Sequence, residues 1–190
     1  MESLKLYEKY ANKRHWEKHP TTYAEAFSEF LKKKRFKGKI VDVGCGNGRD
    51  VNIFKKQGFN CLGVDYSEQE INLAKQQFPE LAFEVQNVEK LRFEDNSIDA
   101  FFIINVIHYV DMKKAISELY RTKNKNGYVF IHFNISITDK DGHQDYTHSE
   151  QDILNIVSKF KIVKKNIFER IDLEPIKHTH KIMELILEKV

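Results

Sequence analysis

From Lys39 to Ile135 the chain alternates short apolar runs with amphipathic helical stretches, an order that few folds accept. The runs are "IVDV", "NCLGVD", "LAFEV", "SIDAFFIINVI" and "GYVFIHFNI", and among them stand "DVNIFKKQG", "SEQEINLAKQQF" and "MKKAISELYRTK". Strands joined through helices by short connections build a parallel sheet covered on both faces. Local punctuation agrees. Ser67 and Glu70 have the spacing of a capping box ahead of the helical set Ile71, Ala74 and Phe78, and Asn126 with Gly127 is expected to stop the helix after the basic turn around Lys123 and Lys125. Thr147 and Glu150 repeat the capping pattern before Ile153, Leu154 and Val157.

The two ends differ from this middle. A helix is expected over residues 3–14 through Leu4, Tyr7 and Ala11, and a second is signalled by Pro20 and "TTYAE", with Thr22 and Glu25 at capping-box spacing. At the other end "FKIVKKNIFERID" and "HKIMELILEKV" are long β-prone runs with no helix between them, which predicts an antiparallel pair closing the sheet. The connection 136–148, "SITDKDGHQDYTH", is long enough to read as a functional loop.

Composition narrows the class. With 190 residues and 41% hydrophobic content, the chain is expected to form one domain around its own core. No apolar run approaches the roughly 18 residues of a membrane span, and the opening "MESLKLYEKYANKRHWEK" is charged throughout, so a cytoplasmic location is expected. Cys45 and Cys61 lack zinc-ligand or redox spacing and read as reduced thiols. A net charge of +3 is too mild to establish a nucleic-acid partner. The basic stretch "KKKRFKGK", residues 32–39, reads as a solvated helix end, with a phosphate or RNA contact as the competing reading.

The segment "IVDVGCGNGRD", residues 40–50, sets Gly44, Gly46 and Gly48 directly after an apolar run. A strand, a glycine turn and a helix start let backbone N–H groups face a ligand with no Cβ in its way, so a nucleotide-like cofactor is the default expectation. The dinucleotide fingerprint wants a further glycine where this chain has Arg49, and no Gly-Lys-Ser/Thr follows to make a P-loop. Asp42, inside the apolar run, needs a partner in the turn backbone or in a ligand ammonium.

"VDVGCGNGRD" resembles the first motif of class I S-adenosylmethionine-dependent methyltransferases, and "GVDYS", residues 63–67, resembles their acidic second-strand motif. "QNVEKLRFEDNSIDAFFIINVIHYV" and "ELYRTKNKNGYVFI" resemble the segments that follow, so the likeness spans about residues 39–135. It implies a Rossmann-like, doubly wound α/β fold of seven strands, mostly parallel with the last antiparallel. It also implies S-adenosylmethionine as cofactor, S-adenosylhomocysteine as product, and a single methyltransferase domain over 1–190. Within that domain, 1–36 would form N-terminal lid helices, 39–135 the cofactor-binding core, and 136–190 a substrate loop, helix and closing strand pair. The turn residues Asp42, Gly44, Cys45, Gly46, Asn47 and Gly48 would hold the cofactor together with Ser67. Asp65 would take the ribose hydroxyls, Tyr66 would lie along the adenine, Asn87 and Val88 would stand near the adenine amine, and Asn105 would sit at the fourth strand's end. Many relatives have Asp where this chain has Asn87. Arg14, in a stretch resembling the family's lid with Tyr7, Tyr10 and Trp16, would meet the cofactor carboxylate.

The implied reaction is in-line methyl transfer to a small-molecule acceptor, with an RNA methyltransferase and a non-catalytic cofactor-binding subunit as the alternatives and a nicotinamide enzyme as the outsider. Transfer of this kind rests on alignment, which supplies roughly 7–11 kcal/mol of the barrier. Should a base be needed, His108, Tyr109 and Tyr146 are the candidates. Asp139, Asp141, His143, Asp145 and His148 in the 136–148 loop read as a polar lid, His132 as an interior histidine, and His178 with His180 as a strand-edge pair lacking other ligands, so no metal is expected. The chain is expected as a monomer or homodimer without a membrane partner.

Overall fold

The structure is a computed structural model and describes residues 22–145, 148–173 and 177–190. The helix expected over 3–14 lies outside them. The chain runs α1 (Thr22–Lys33), β1 (Lys39–Val43), α2 (Arg49–Lys56), β2 (Asn60–Asp65), α3 (Glu68–Gln77), β3 (Ala82–Val85) and β4 (Ile98–Ile104). A 3₁₀ turn (Ile107–Tyr109), α4 (Met112–Thr122), β5 (Lys123–Asp139), β6 (Gln144–Asp145), α5 (Glu150–Ile156), β7 (Lys161–Asp172) and β8 (His178–Glu188) follow. The strand order is β3-β2-β1-β4-β5-β8-β7. β1 through β5 pair in parallel, and β8 is antiparallel to both β5 and β7. The seven-strand path and its antiparallel last strand are as expected; β6 is an addition that pairs with β5 off that path.

Residue alternation along the strands builds two cores. In β1, Ile40 packs toward α1, α2 and α3, whereas Val41 and Val43 pack toward α4 and α5. β4 does the same with Ala100 and Phe102 on the first side and Phe101 and Ile103 on the second. The first core is aromatic: Phe102 stacks on Phe130 at 5.2 Å and meets Phe54 edge-on at 5.0 Å, with Phe27 of α1 lying over Phe130 at 5.5 Å. Rings in these arrangements each add about 0.5–1.5 kcal/mol beyond the area they bury.

Several boundaries depart from expectation for identifiable reasons. α4 ends at Thr122 and β5 begins at Lys123, so Asn126 and Gly127 do not stop the helix. They form part of an irregular stretch between the pairs Ile98–Lys123 and Ala100–Tyr128, with Asn126 at φ 59°. The long loop expected over 136–148 is largely a hairpin, because β5 continues to Asp139 and β6 folds back on it. Asp139 Oδ1 accepts from the N–H groups of Asp141 and His143, both at 2.9 Å, and Gly142 takes φ 87°, which closes the turn. The cap of α5 is Ser149, whose hydroxyl accepts from Asp152 N–H at 3.0 Å; Thr147 lies outside the described residues. Thr22 stands inside α1 and so is not its cap. The basic stretch after α1 ends the helix with Arg35 at φ 53° and Phe36 N–H bonded to Leu31 O at 3.0 Å.

Candidate cofactor site

The order reverses at β1, with β2 on one side and β4 on the other, and a cleft opens there beyond the strands' carboxyl ends, as the general rule for open α/β sheets requires. It encloses about 300 Å³ and is lined by the turn after β1, the tip of β2 and the segment after β4.

The turn's geometry depends on its glycines. Gly44, Gly46 and Gly48 have φ values of 75°, 50° and 82°, where a Cβ is strained. A Cβ at Gly48 would lie 2.6 Å from the Phe83 ring, and one at Gly44 would collide with Val106. The N–H groups that the turn was expected to offer to an anion are already engaged. Gly44 and Cys45 N–H both donate to Val64 O, at 2.7 and 3.1 Å, Gly48 N–H donates to Cys45 O at 3.0 Å, and Gly46 N–H donates to Asp65 Oδ2 at 3.0 Å. This turn therefore clasps the end of β2 and is no phosphate cradle.

The cleft is acidic instead. Asp42, Asp50, Asp65 and Glu70 all line it, and all are less than a tenth exposed. Burial pushes the Asp42 carboxyl well above the usual range, and Asp50 and Asp65 add to the effect against the opposing charge of Arg49. Burial likewise raises Asp65, against hydrogen bonds donated by the Ser67 and Gly46 N–H groups. A cation with hydroxyl donors, set among these groups, would relieve the cost. Asp65 is well held for that purpose: Oδ1 accepts from Ser67 N–H at 2.9 Å while Oδ2 takes Gly46, which leaves the remaining lone pairs for a ligand.

Around this centre, Cys45, Asn47, Val88 and Asn105 line the cleft together with Asn87, whose Oδ1 accepts from Glu89 N–H at 2.8 Å. Tyr66 lines it while remaining 55% exposed. Asn105 holds φ 57° with its N–H bonded to His132 O at 3.0 Å. Gly48 and Ser67 stand behind the wall, as the start of α2 and the cap of α3. Tyr109 lines the cleft, and the buried His108 ring lies against it, tilted, with centroids 4.1 Å apart and Nε2 3.3 Å from Asn134 Nδ2. Burial lowers the His108 pKa to about 3, so the ring is neutral. Arg14 and Tyr146 lie outside the described residues.

Sequence reasoning missed Asp50, Glu70 and Gln86 as parts of the wall. Glu70 carried a signal, because its backbone N–H is the one that bonds Ser67 Oγ at 3.3 Å, which brings the first turn of α3 to the β2 tip.

The residues present fit S-adenosylmethionine, with carboxylates for its cationic groups and Asp65 for its ribose. Comparison with known proteins agrees. Residues 41–131 match the family described as "Methyltransferase domain". The ubiquinone/menaquinone biosynthesis C-methyltransferase of Campylobacter jejuni is 30% identical over 101 residues, 49% of this chain and 43% of that protein. The chain thus spans under half the length of the curated relatives it matches. In structure it resembles a SAM-dependent methyltransferase of Methanosarcina mazei, with a TM-score of 0.66 at 17% identity, covering 81% of this chain and 93% of that one. It also resembles the geranyl diphosphate C-methyltransferase of Streptomyces coelicolor, with a TM-score of 0.65 at 16% identity, covering 87% and 80%. At these identities the likeness shows the fold alone. Residues 41–131, just under half of the chain, thus match a methyltransferase domain, and the fold around them is the one seen in S-adenosylmethionine-dependent methyltransferases.

Proposed function

We propose that the chain binds S-adenosylmethionine in this cleft and methylates a small-molecule acceptor. The observation that carries the reading is Asp65, buried at the β2 tip, tied to the glycine turn through Gly46 N–H and lining the cleft. When bound, the cofactor supplies an electrophilic methyl group on a sulfonium. The chain's own contribution is binding and alignment. Asp65 accepts from the ribose hydroxyls, Asp42 faces the ammonium, Tyr66 lies along the base, and Asn87 and Val88 flank the adenine edge. Asn105, Val106 and Tyr109 wall the side toward β4, where an acceptor would approach. The neutral His108 steadies Tyr109 by ring contact and is too weakly basic to store a proton at neutral pH.

The small-molecule acceptor is supported by the names of similar proteins, a quinone-pathway C-methyltransferase and a geranyl diphosphate C-methyltransferase. Calorimetry with S-adenosylhomocysteine and with NAD tests the cofactor reading. Binding of the first and not the second is expected, with a loss of about 10- to 100-fold in Asp65→Ala, the worth of a charge-assisted hydrogen bond of about 1.5–3 kcal/mol. Binding of NAD, or an unchanged affinity in Asp65→Ala, would refute it.

A further inference from the structure

On the same carboxyl rim, β7 ends at Asp172 and β8 starts at His178, and the hairpin register sets Asp172 opposite His178 and Arg170 opposite His180. The sequence reading left the His-x-His pair without further ligands, and the fold supplies one. One ligand atom from each of Asp172, His178 and His180 lies within 4.8 Å of the others. Asp172 Oδ2 stands 3.2 Å from His180 Nε2 and 3.9 Å from His178 Nε2. Donors bound to one metal ion at about 2.1 Å sit roughly 3–3.5 Å apart, so a small closing movement brings all three into range.

The surroundings are those of a ligand site. His180 is 8% exposed, and its Nδ1 lies 2.9 Å from Asn134 Oδ1. Asn134 Nδ2 in turn faces His108 Nε2 at 3.3 Å. In the tautomer protonated at Nδ1, His180 donates to Asn134 Oδ1 and turns the Nε2 lone pair toward Asp172 Oδ2, 3.2 Å away. That Nε2 is buried, and a cation between it and the carboxylate, a proton or a metal ion, would be held by both. Asp172 is held from behind by Arg170, whose Nε and Nη2 each donate at 2.9 Å. Outer hydrogen bonds of this kind, here to His180 and Asp172, are what orient metal ligands.

We propose that Asp172, His178 and His180 bind one divalent first-row transition-metal ion. Two imidazoles and a single carboxylate suit Zn²⁺, Co²⁺ or Fe²⁺, whereas Mg²⁺ and Ca²⁺ prefer oxygen-rich sites. Three protein ligands leave coordination positions open. Through Asn134 the site connects to His108, whose ring lies against Tyr109 at the cleft wall. The metal site does not depend on the methyltransferase reading.

The test titrates Zn²⁺, and Co²⁺ as a spectroscopic stand-in, into the metal-stripped full chain. Calorimetry gives stoichiometry and visible absorption reports the ligand field. One equivalent is expected, with the affinity reduced more than about 10-fold in His178→Ala and in His180→Gln, and by about 10- to 100-fold in Asn134→Ala, which removes the outer hydrogen bond to His180 together with the contact to His108. His178 is partly exposed, so His178→Ala is the variant least at risk of misfolding, and its melting temperature without metal serves as the check. Less than one equivalent bound by the full chain, or undiminished binding in the folded His178→Ala variant, would overturn the site. S-adenosylhomocysteine binding is measured on the same samples, so loss of that binding while Zn²⁺ still binds counts against the methyltransferase reading and leaves the metal site standing.

Discussion

The ring of Phe83 in β3 fills the space that a side chain would need at both Gly48 and Gly63: a Cβ at either position would lie 2.6 Å from a Phe83 ring carbon. One aromatic residue thus fixes how closely the helix following the glycine turn and the strand carrying Asp65 can approach.

The two glycines should therefore answer differently to the same repair. Gly63 has no positive φ, so Gly63→Ala meets only crowding, from Phe83 and from Cys45 Sγ at 2.9 Å. We expect a loss of about 1–3 kcal/mol by urea unfolding, recovered in part by Phe83→Val, which removes the crowding Cδ1 and Cε1 while Cys45 Sγ stays. Gly48→Ala loses its Phe83 crowding in the same double variant but keeps a backbone at φ 82°, so Phe83→Val should recover less of its loss. Equal recovery at both positions would refute the distinction.

Asp42 exchanges stability for binding. Its folded pKa is raised, so between the ordinary value of 3.8 and the raised one the folded state binds more protons than the unfolded state. Stability of the free protein therefore falls as pH rises through that window and levels off above it. Asp42→Asn should flatten this dependence and raise the melting temperature at pH 7 while weakening S-adenosylhomocysteine about 10- to 100-fold. In the unmodified protein, binding should tighten as pH rises through the same window, with protons released on binding. Calorimetry in buffers of different ionisation enthalpy reads that release directly.

Lys123 gives a pH dependence of the opposite sign. Fully buried at the start of β5, with Nζ donating to Asn124 O at 2.7 Å, it has a pKa lowered by burial to about 7, against the nearby charge of Asp99. The unfolded chain binds this proton more tightly, so the Lys123 contribution rises with pH from about 7 toward the ordinary value of 10.5 and is smallest below 7. Lys123→Met should accordingly stabilise the protein most at pH 6 and least at pH 9.5. A gain independent of pH would show that the amine stays charged in the fold.

Much of this architecture could be read from residue order alone, because apolar period and strand pairing report the same physics. β2 was delimited to the residue by "NCLGVD", whose ends are set by Gly58 and the capped helix beyond Ser67. Features built by distant segments were not legible. The acidic wall gathers Asp42, Asp50 and Glu70 from three separate elements, and only the folded turn brings them to one cleft. Asp172 and His178 meet because the β7–β8 register sets them opposite each other, with His180 two residues further along β8, and no local spacing encodes that register. The extension of β5 to Asp139 was hidden by polar residues that read as loop, although their side chains are what close the hairpin.

Tyr66 separates binding from folding most cleanly. At 55% exposure it contributes little to the core, so Tyr66→Ala should change unfolding free energy by no more than about 0.5 kcal/mol, the usual range for surface positions. If its ring lies along the adenine, the same change removes a stacking contact of about 1–3 kcal/mol, and affinity for S-adenosylhomocysteine falls by roughly 5- to 150-fold. Tyr66→Phe keeps the ring and should bind nearly as tightly as the unmodified chain. Paired melting and calorimetry on the two variants decide the point: an alanine variant that binds normally, or a phenylalanine variant as weak as alanine, would mean that the ring face is not what the base rests on.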